Sequence, residues 1–286
     1  MWLFFSILSP VLWALSSIND TALRRHFIKN DFVLTLSFAF ARLPIALILL
    51  ALFGQGLVFG WHVVAIFIAG VLWTLPFVLF YKALEFEETS RVILITQFLP
   101  VFILILAAIL IGERLNMYQL IAFVLILSGS VLAAVKKMES GWRFSKAFVL
   151  VVLATFAWAL ADVIFKKYAV YFSSFWKAFA IYIFASSLFG MILFILPRFR
   201  NSVRDFKKFP FKGWVLFLIS VVAGTSGSLA FSYALTLGKA SLTAVIVGIQ
   251  PLVVFVFAYM LNKVVKEIPK ESFAKRDLLI KGISLI

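Results

Sequence analysis

Residues 83–100 read ALEFEETSRVILITQFLP, and residues 234–251 read ALTLGKASLTAVIVGIQP. Each stretch opens on an alanine-leucine pair (Ala83-Leu84, Ala234-Leu235) and carries a serine further on (Ser90, Ser241). Each ends on a proline with a glutamine close before it: Gln97 and Pro100, then Gln250 and Pro251. The two copies lie 151 residues apart. A second echo stands at an offset of 145: Trp13-Ala14-Leu15 recurs as Trp158-Ala159-Leu160. Polar or basic residues follow both copies, Asn19, Asp20 and Arg24 in one, Asp162, Lys166 and Lys167 in the other. Landmarks repeated at a nearly fixed offset indicate two homologous halves.

Outward from these stretches the chain is a series of apolar runs. A hydrocarbon core of about 30 Å needs roughly 20 apolar residues in a helix. Runs of that kind lie near 2–18, 32–53, 62–84, 90–111, 117–135, 147–165, 175–196, 214–237 and 241–262. A tenth begins near Leu278 and stops at Ile286, too short to cross. The runs are continuously apolar, which excludes the alternation of a membrane barrel and leaves helices that satisfy their own backbone in lipid. The first run lacks a basic flank and a small-residue cleavage site, so it reads as a retained helix. Five spans per half is an odd number, so the halves have opposite orientation. The expected fold is an all-α integral membrane bundle of ten helices, the last one clipped. Its repeats cover residues 1–137 (spans 1–5) and 138–286 (spans 6–10). Inverted repeats of this sort place a substrate site near the midplane, between the halves.

Composition agrees. The chain is 64% hydrophobic and 14% charged, with a formal net charge of +15. Soluble domains are about half apolar and a quarter charged, and disordered chains are poorer still in apolar residues. The basic excess falls between the apolar runs, so anionic headgroups are its partner and not nucleic acid. Twenty lysines and arginines lie in the loops after spans 1, 3, 5, 7 and 9, against five on the other side (Arg114, Lys166, Lys167, Lys177, Lys239). That asymmetry places the richer side in the cytoplasm and the N-terminus outside.

The sequence resembles the drug/metabolite transporter superfamily, specifically its ten-helix EamA-like members. The residues that carry the resemblance are Trp13-Ala14-Leu15-Ser16-Ser17, Arg42, the run Ala83-Leu84 through Pro100, Gly112-Glu113-Arg114-Leu115, Trp158-Ala159, the run Ala234-Leu235 through Ser241, and Gln250-Pro251. The resemblance implies alternating-access transport of small metabolites, often as efflux, by a multi-pass protein of a bacterial or archaeal cell membrane. Lipid-linked flippases of the same fold are the alternative it leaves open, and an integral-membrane enzyme is a further one that no constellation of residues supports. It also implies that both termini face the cytoplasm, against the lysine and arginine count.

Ionisable residues within a span cost roughly 2.5–3.5 kcal/mol on insertion scales, so each needs a reason. Arg42, about ten residues into span 2, suits an anion or an acidic partner. Asp162 stands one turn after Trp158 and could take a cationic substrate or a coupling proton, although an ion pair with Lys166 at i, i+4 is the simpler expectation. Pro76, Pro100 and Pro251 break their helices and free carbonyls that cavity water or a neighbour must satisfy. Gln97, Gln250 and Thr74 offer hydrogen bonds beside those breaks. Trp13, Trp158, Tyr81 and Tyr233 lie on spans expected to face the cavity and could stack on an amphipathic solute. Glu85, Glu87 and Glu88 read as a solvated turn. His26 and His62 are the only histidines and there is no cysteine, so no metal or other cofactor is expected and no catalytic site. No phosphate-binding G-x-x-x-x-G-K-[ST] loop occurs either. Energy would then come from a coupling proton or a counter-substrate. The expected partners are a small-molecule metabolite and membrane lipid, with the chain a monomer or a homodimer.

Overall fold

The computed structural model describes residues 1–28, 31–84, 86, 95–134, 146–195 and 209–261. Its elements are α1 (Trp2–His26), α2 (Asp31–Phe53), α3 (Trp61–Thr74), α4 (Pro76–Leu84), α5 (Leu99–Ile111), α6 (Met117–Ala134), α7 (Lys146–Ala169), α8 (Phe175–Ile195), α9 (Phe211–Leu237), α10 (Ala240–Val247) and α11 (Gln250–Leu261). No strand occurs among the described residues. Among the described residues, five stretches are long and apolar enough to cross a membrane: Trp2–Asp20, Val33–Phe53, Trp61–Phe80, Lys146–Ala169 and Phe211–Leu237. Shorter apolar helices cover the other four predicted spans. The clipped segment from Leu278 and the carboxylates Glu85, Glu87 and Glu88 lie outside the described residues.

Among the described residues three spans are interrupted, and each interruption lies just before a proline. Leu75 separates α3 from α4, and Pro76 opens α4. Gln97 and Phe98 form a turn ahead of α5, whose second residue is Pro100. Gly248 and Ile249 form the matching turn ahead of α11, whose second residue is Pro251. Proline lacks the N–H that an interior position needs, whereas the first turn of a helix has no use for it, so these three helices restart there, while α1 and α2 carry Pro10 and Pro44 inside without a break. The turns at 97–98 and 248–249 keep the 151-residue offset of the sequence repeat.

The halves are interleaved. The most extensive packing joins α1, the first helix of one half, to α9, the third span of the other. Reciprocally, α7 opens the second half and packs on α3 and α4, the third span of the first. The second spans, α2 and α8, pack against each other, and α8 also lies along α3. Four clusters of buried side chains result. One is built around Phe165, Phe179, Tyr182 and Ile66, another around Ile103, Val163, Phe231 and Leu235. Two smaller ones lie toward the opposite face, around Leu23 and Phe217 and around Ala83 and Val151.

The α3–α8 contact depends on a missing side chain. A Cβ on Gly70 would stand 2.3 Å from the Tyr182 carbonyl oxygen and 2.8 Å from the Ala185 Cβ. Backbone cannot yield as a flexible side chain does, and small residues are what allow helices to approach this closely in lipid. Gly70→Ala is therefore expected to lower stability by about 1–3 kcal/mol, the usual cost of overpacking. A thermal-denaturation comparison in detergent checks this, and an unchanged midpoint would contradict the packing described.

Candidate functional site

The polar groups of the spans converge where the halves interleave. The Trp13 indole N–H donates to the Gly224 carbonyl at 3.2 Å, and the Trp158 indole N–H donates to the Trp73 carbonyl at 2.9 Å. Trp73 and Gly224 are themselves 151 residues apart. The two bonds are thus equivalents under the repeat, each tying the first helix of one half to the third span of the other.

Arg42 reaches the point between them. Its guanidinium carbon lies 4.9 Å from the centroid of the Trp73 ring, a cation–π contact. Its Nη2 stands 3.3 Å from where a Cβ on Gly224 would be, so the glycine makes room for the charge. The Ser16 hydroxyl is 3.2 Å from the same point and donates to the Ser220 carbonyl at 3.2 Å. Ser220 donates in turn to the Ser16 carbonyl and, at 2.5 Å, to Asp20. Arg42 Nε is buried without a hydrogen-bond partner, and Asp20 and Tyr182 are the groups within its electrostatic reach. An arginine offers five donors in a planar fork. Here one of them is unused at the meeting line of the halves.

The other predicted residues fall at different distances from this point. Thr74 is buried and its hydroxyl lies 2.8 Å from the Ser186 hydroxyl, a tie between α3 and α8. Trp158 packs edge-on against Phe77, with centroids 5.1 Å apart. Gln250, at the break before α11, donates to the Ser17 hydroxyl at 3.4 Å. Gln97 is half-buried in its own turn. Tyr233 stands further toward one end, edge-on between Phe5 and Phe175 with centroids 4.9 Å away in both pairs. Tyr81 belongs to α4, and its side chain is outside the described residues.

Asp162 is buried on α7. The expected Asp162–Lys166 pair is not what forms. The Lys166 ammonium lies 3.4 Å from Glu113 and donates to the Gly238 carbonyl. Its long stem carries the charge past Asp162 to the end of the helix, where better partners are concentrated.

Those partners form a latch that sequence reasoning did not assign. Glu113 follows Gly112, the turn that ends α5, and accepts from the Ala240 amide at 2.8 Å, the Ser241 amide at 3.0 Å and the Ser241 hydroxyl at 2.7 Å. It thereby caps α10 from the other half of the molecule, in place of Lys239, whose own side chain does not cap. A carboxylate at a helix N-terminus is favoured by unpaired amides and dipole together. Lys239 reaches back to the Arg114 carbonyl at 2.6 Å and to Gln119 at 2.7 Å. An open groove beside the latch is lined by Leu110, Ile111, Glu113, Lys166, Lys167 and Val170. The signal available in the sequence was a lone acid after a span facing Gly238-Lys239-Ala240-Ser241 at the start of another.

Burial alone would raise the Glu113 carboxyl. The Ser241 hydroxyl and the two amides outweigh it, with Lys166 adding its charge, and hold the group below its ordinary value of 4.5. A carboxyl whose value is depressed by folding contributes stability above its unfolded value and loses it as pH falls through the folded one. The latch should therefore weaken as pH drops below about 4.5, that ordinary value. Melting midpoints measured across that range should fall more steeply for the native chain than for Glu113→Gln.

Two inverted halves of membrane-crossing helices, joined by a polar seam near their middle, define a multi-pass helical membrane protein of the carrier type. The EamA-like transporter family model matches residues 1–135 and 145–266, and the chain belongs to that family. It is accordingly a membrane transporter of the drug/metabolite transporter type. A solved structure described only as a crystal structure of a protein shares the fold. It is 15% identical with a TM-score of 0.70, over 99% of this chain and 92% of that one. No curated protein matches.

Proposed function

We propose that the chain is a secondary transporter that moves a small organic metabolite by alternating access, in the efflux direction, and that the metabolite bears a carboxylate or phosphate. The observation that carries this reading is Arg42. Its guanidinium lies on Trp73 beside Gly224, between the two indole–carbonyl bonds, with Nε buried and without a partner. An arginine at mid-span is costly, faces a bundle interior or cavity, and marks a substrate path. Supporting features are the interrupted helices on both sides of the repeat and the hydroxyls of Ser16 and Ser17 near them. Rigid-body movement of one half against the other would alternate access around a fixed centre of this kind.

The test is flux in proteoliposomes. Purified protein is expected to carry at least one member of a panel of carboxylates and phosphate esters down an imposed gradient. Absence of protein-dependent flux across the whole panel, with and without a pH gradient, would reject this reading.

A further inference from the structure

Most polar groups of the seam have a partner or a place against Arg42. Asp162 has neither. It is 5% exposed, deep in a 24-residue helix whose neighbours are largely apolar. The lysine placed to pair with it, Lys166, is held by Glu113 and Gly238. Of the other basic groups on α7, Lys167 lies over the Tyr168 ring and Lys146 is exposed at the helix start. The elements packed on α7 supply no cation in their place. α5 and α10 contain no ionisable residue. α3 has His62, at its first turn and edge-on to Phe172. α4 has Tyr81 and the exposed Lys82 in its last turn. α9 has Lys212 and Tyr233, near its two ends. α8 has Lys177 in its first turn and Tyr182, which is buried and is the group within electrostatic reach of Asp162.

A carboxylate largely removed from water with no cation beside it is costly, and taking up a proton relieves that cost. We propose that Asp162 is the site of a coupling proton, held while the carboxyl is buried near Tyr182 and released to water when the halves part. A proton gradient then supplies the work of moving the solute past Arg42. This rests on the alternating-access reading, but its test needs no substrate, so the two fail separately.

The chain has no cysteine, which makes a single introduced thiol an unambiguous reporter. Ser232 on α9 is 4% exposed, and Ser232→Cys reports opening through its reaction with a membrane-impermeant maleimide. In proteoliposomes the labelling rate, divided at each pH by that of a free thiol so that thiolate formation cancels, should rise with pH by up to about tenfold per pH unit, the slope of one linked proton. Asp162→Asn, a neutral mimic of the protonated acid, should abolish that dependence, and Asp162→Glu should restore it. Infrared spectra of protein carrying isotope-labelled aspartate provide a readout that does not require the variant to fold. At neutral pH a protonated-aspartate carbonyl band is expected, and it should shift when Tyr182→Phe alters its surroundings. Absence of the band, or a pH dependence of labelling that survives Asp162→Asn, would overturn the proposal.

Discussion

Arg42→Ala is expected to abolish the stabilisation that anionic solutes would confer on the purified protein, and to change the ligand-free melting temperature little. The two expectations have one origin. In the unliganded protein the guanidinium is held by a ring face at 4.9 Å, and its Nε goes without a hydrogen bond, so the desolvation cost relieved by removing it offsets the lost ring contact and the lost attraction of Asp20. A bound carboxylate or phosphate would instead lose a charge-assisted contact whose truncation costs about 2–5 kcal/mol, roughly 100-fold or more in affinity. Arg42→Lys keeps the charge and loses the planar fork, and should fall between the two. A thermal-shift screen of carboxylates and phosphate esters against the three proteins checks the series. If the same anions stabilise Arg42→Ala as strongly, Arg42 is not their contact.

The second large effect is structural. Glu113→Ala leaves the Ala240 and Ser241 amides at the start of α10 without an acceptor, and it leaves the Lys166 ammonium with the Gly238 carbonyl but no countercharge. Each unsatisfied donor at a buried helix end costs about 1–3 kcal/mol, and breaking a largely buried ion pair adds to it. A loss of about 3 kcal/mol is expected, because water can enter through the adjoining groove and offset part of the sum. Glu113→Gln keeps one acceptor oxygen and should lose less. Melting midpoints of the two variants at neutral pH decide the matter, and equal midpoints for Ala and the native residue would remove the latch from the account.

The spans were legible because lipid imposes a length and a composition on each of them. Predicted runs at 32–53, 117–135 and 175–196 correspond to α2, α6 and α8 within a residue or two. The two-half architecture was legible because a duplicated proline leaves a duplicated interruption, at 97–98 and 248–249. Partnership across the seam was much less so. The acceptor of the Trp13 indole lies 211 residues away, and nothing about a glycine in a small-residue run announces a carbonyl turned toward a tryptophan. Trp73 looked like one aromatic among 49 aromatic side chains, since phenylalanine, tryptophan and tyrosine number 34, 8 and 7. Lys166 was assigned to Asp162 because spacing along one helix is visible in a sequence. Its actual partner, Glu113, belongs to a loop of the other half.

The reciprocal indole bonds also set an order of assembly. A nascent chain grows at roughly 5–20 residues per second. The Trp158–Trp73 contact, 85 residues apart, can close soon after α7 enters the membrane. Trp13 must wait for Gly224, and the 211 intervening residues take on the order of 10–40 s at that rate. Through that interval α1 stays in lipid with Ser16 and Asp20 lacking Ser220, their partner from α9. Helix α1 is thus made long before it is locked, and the membrane-insertion machinery has to shelter it until α9 arrives.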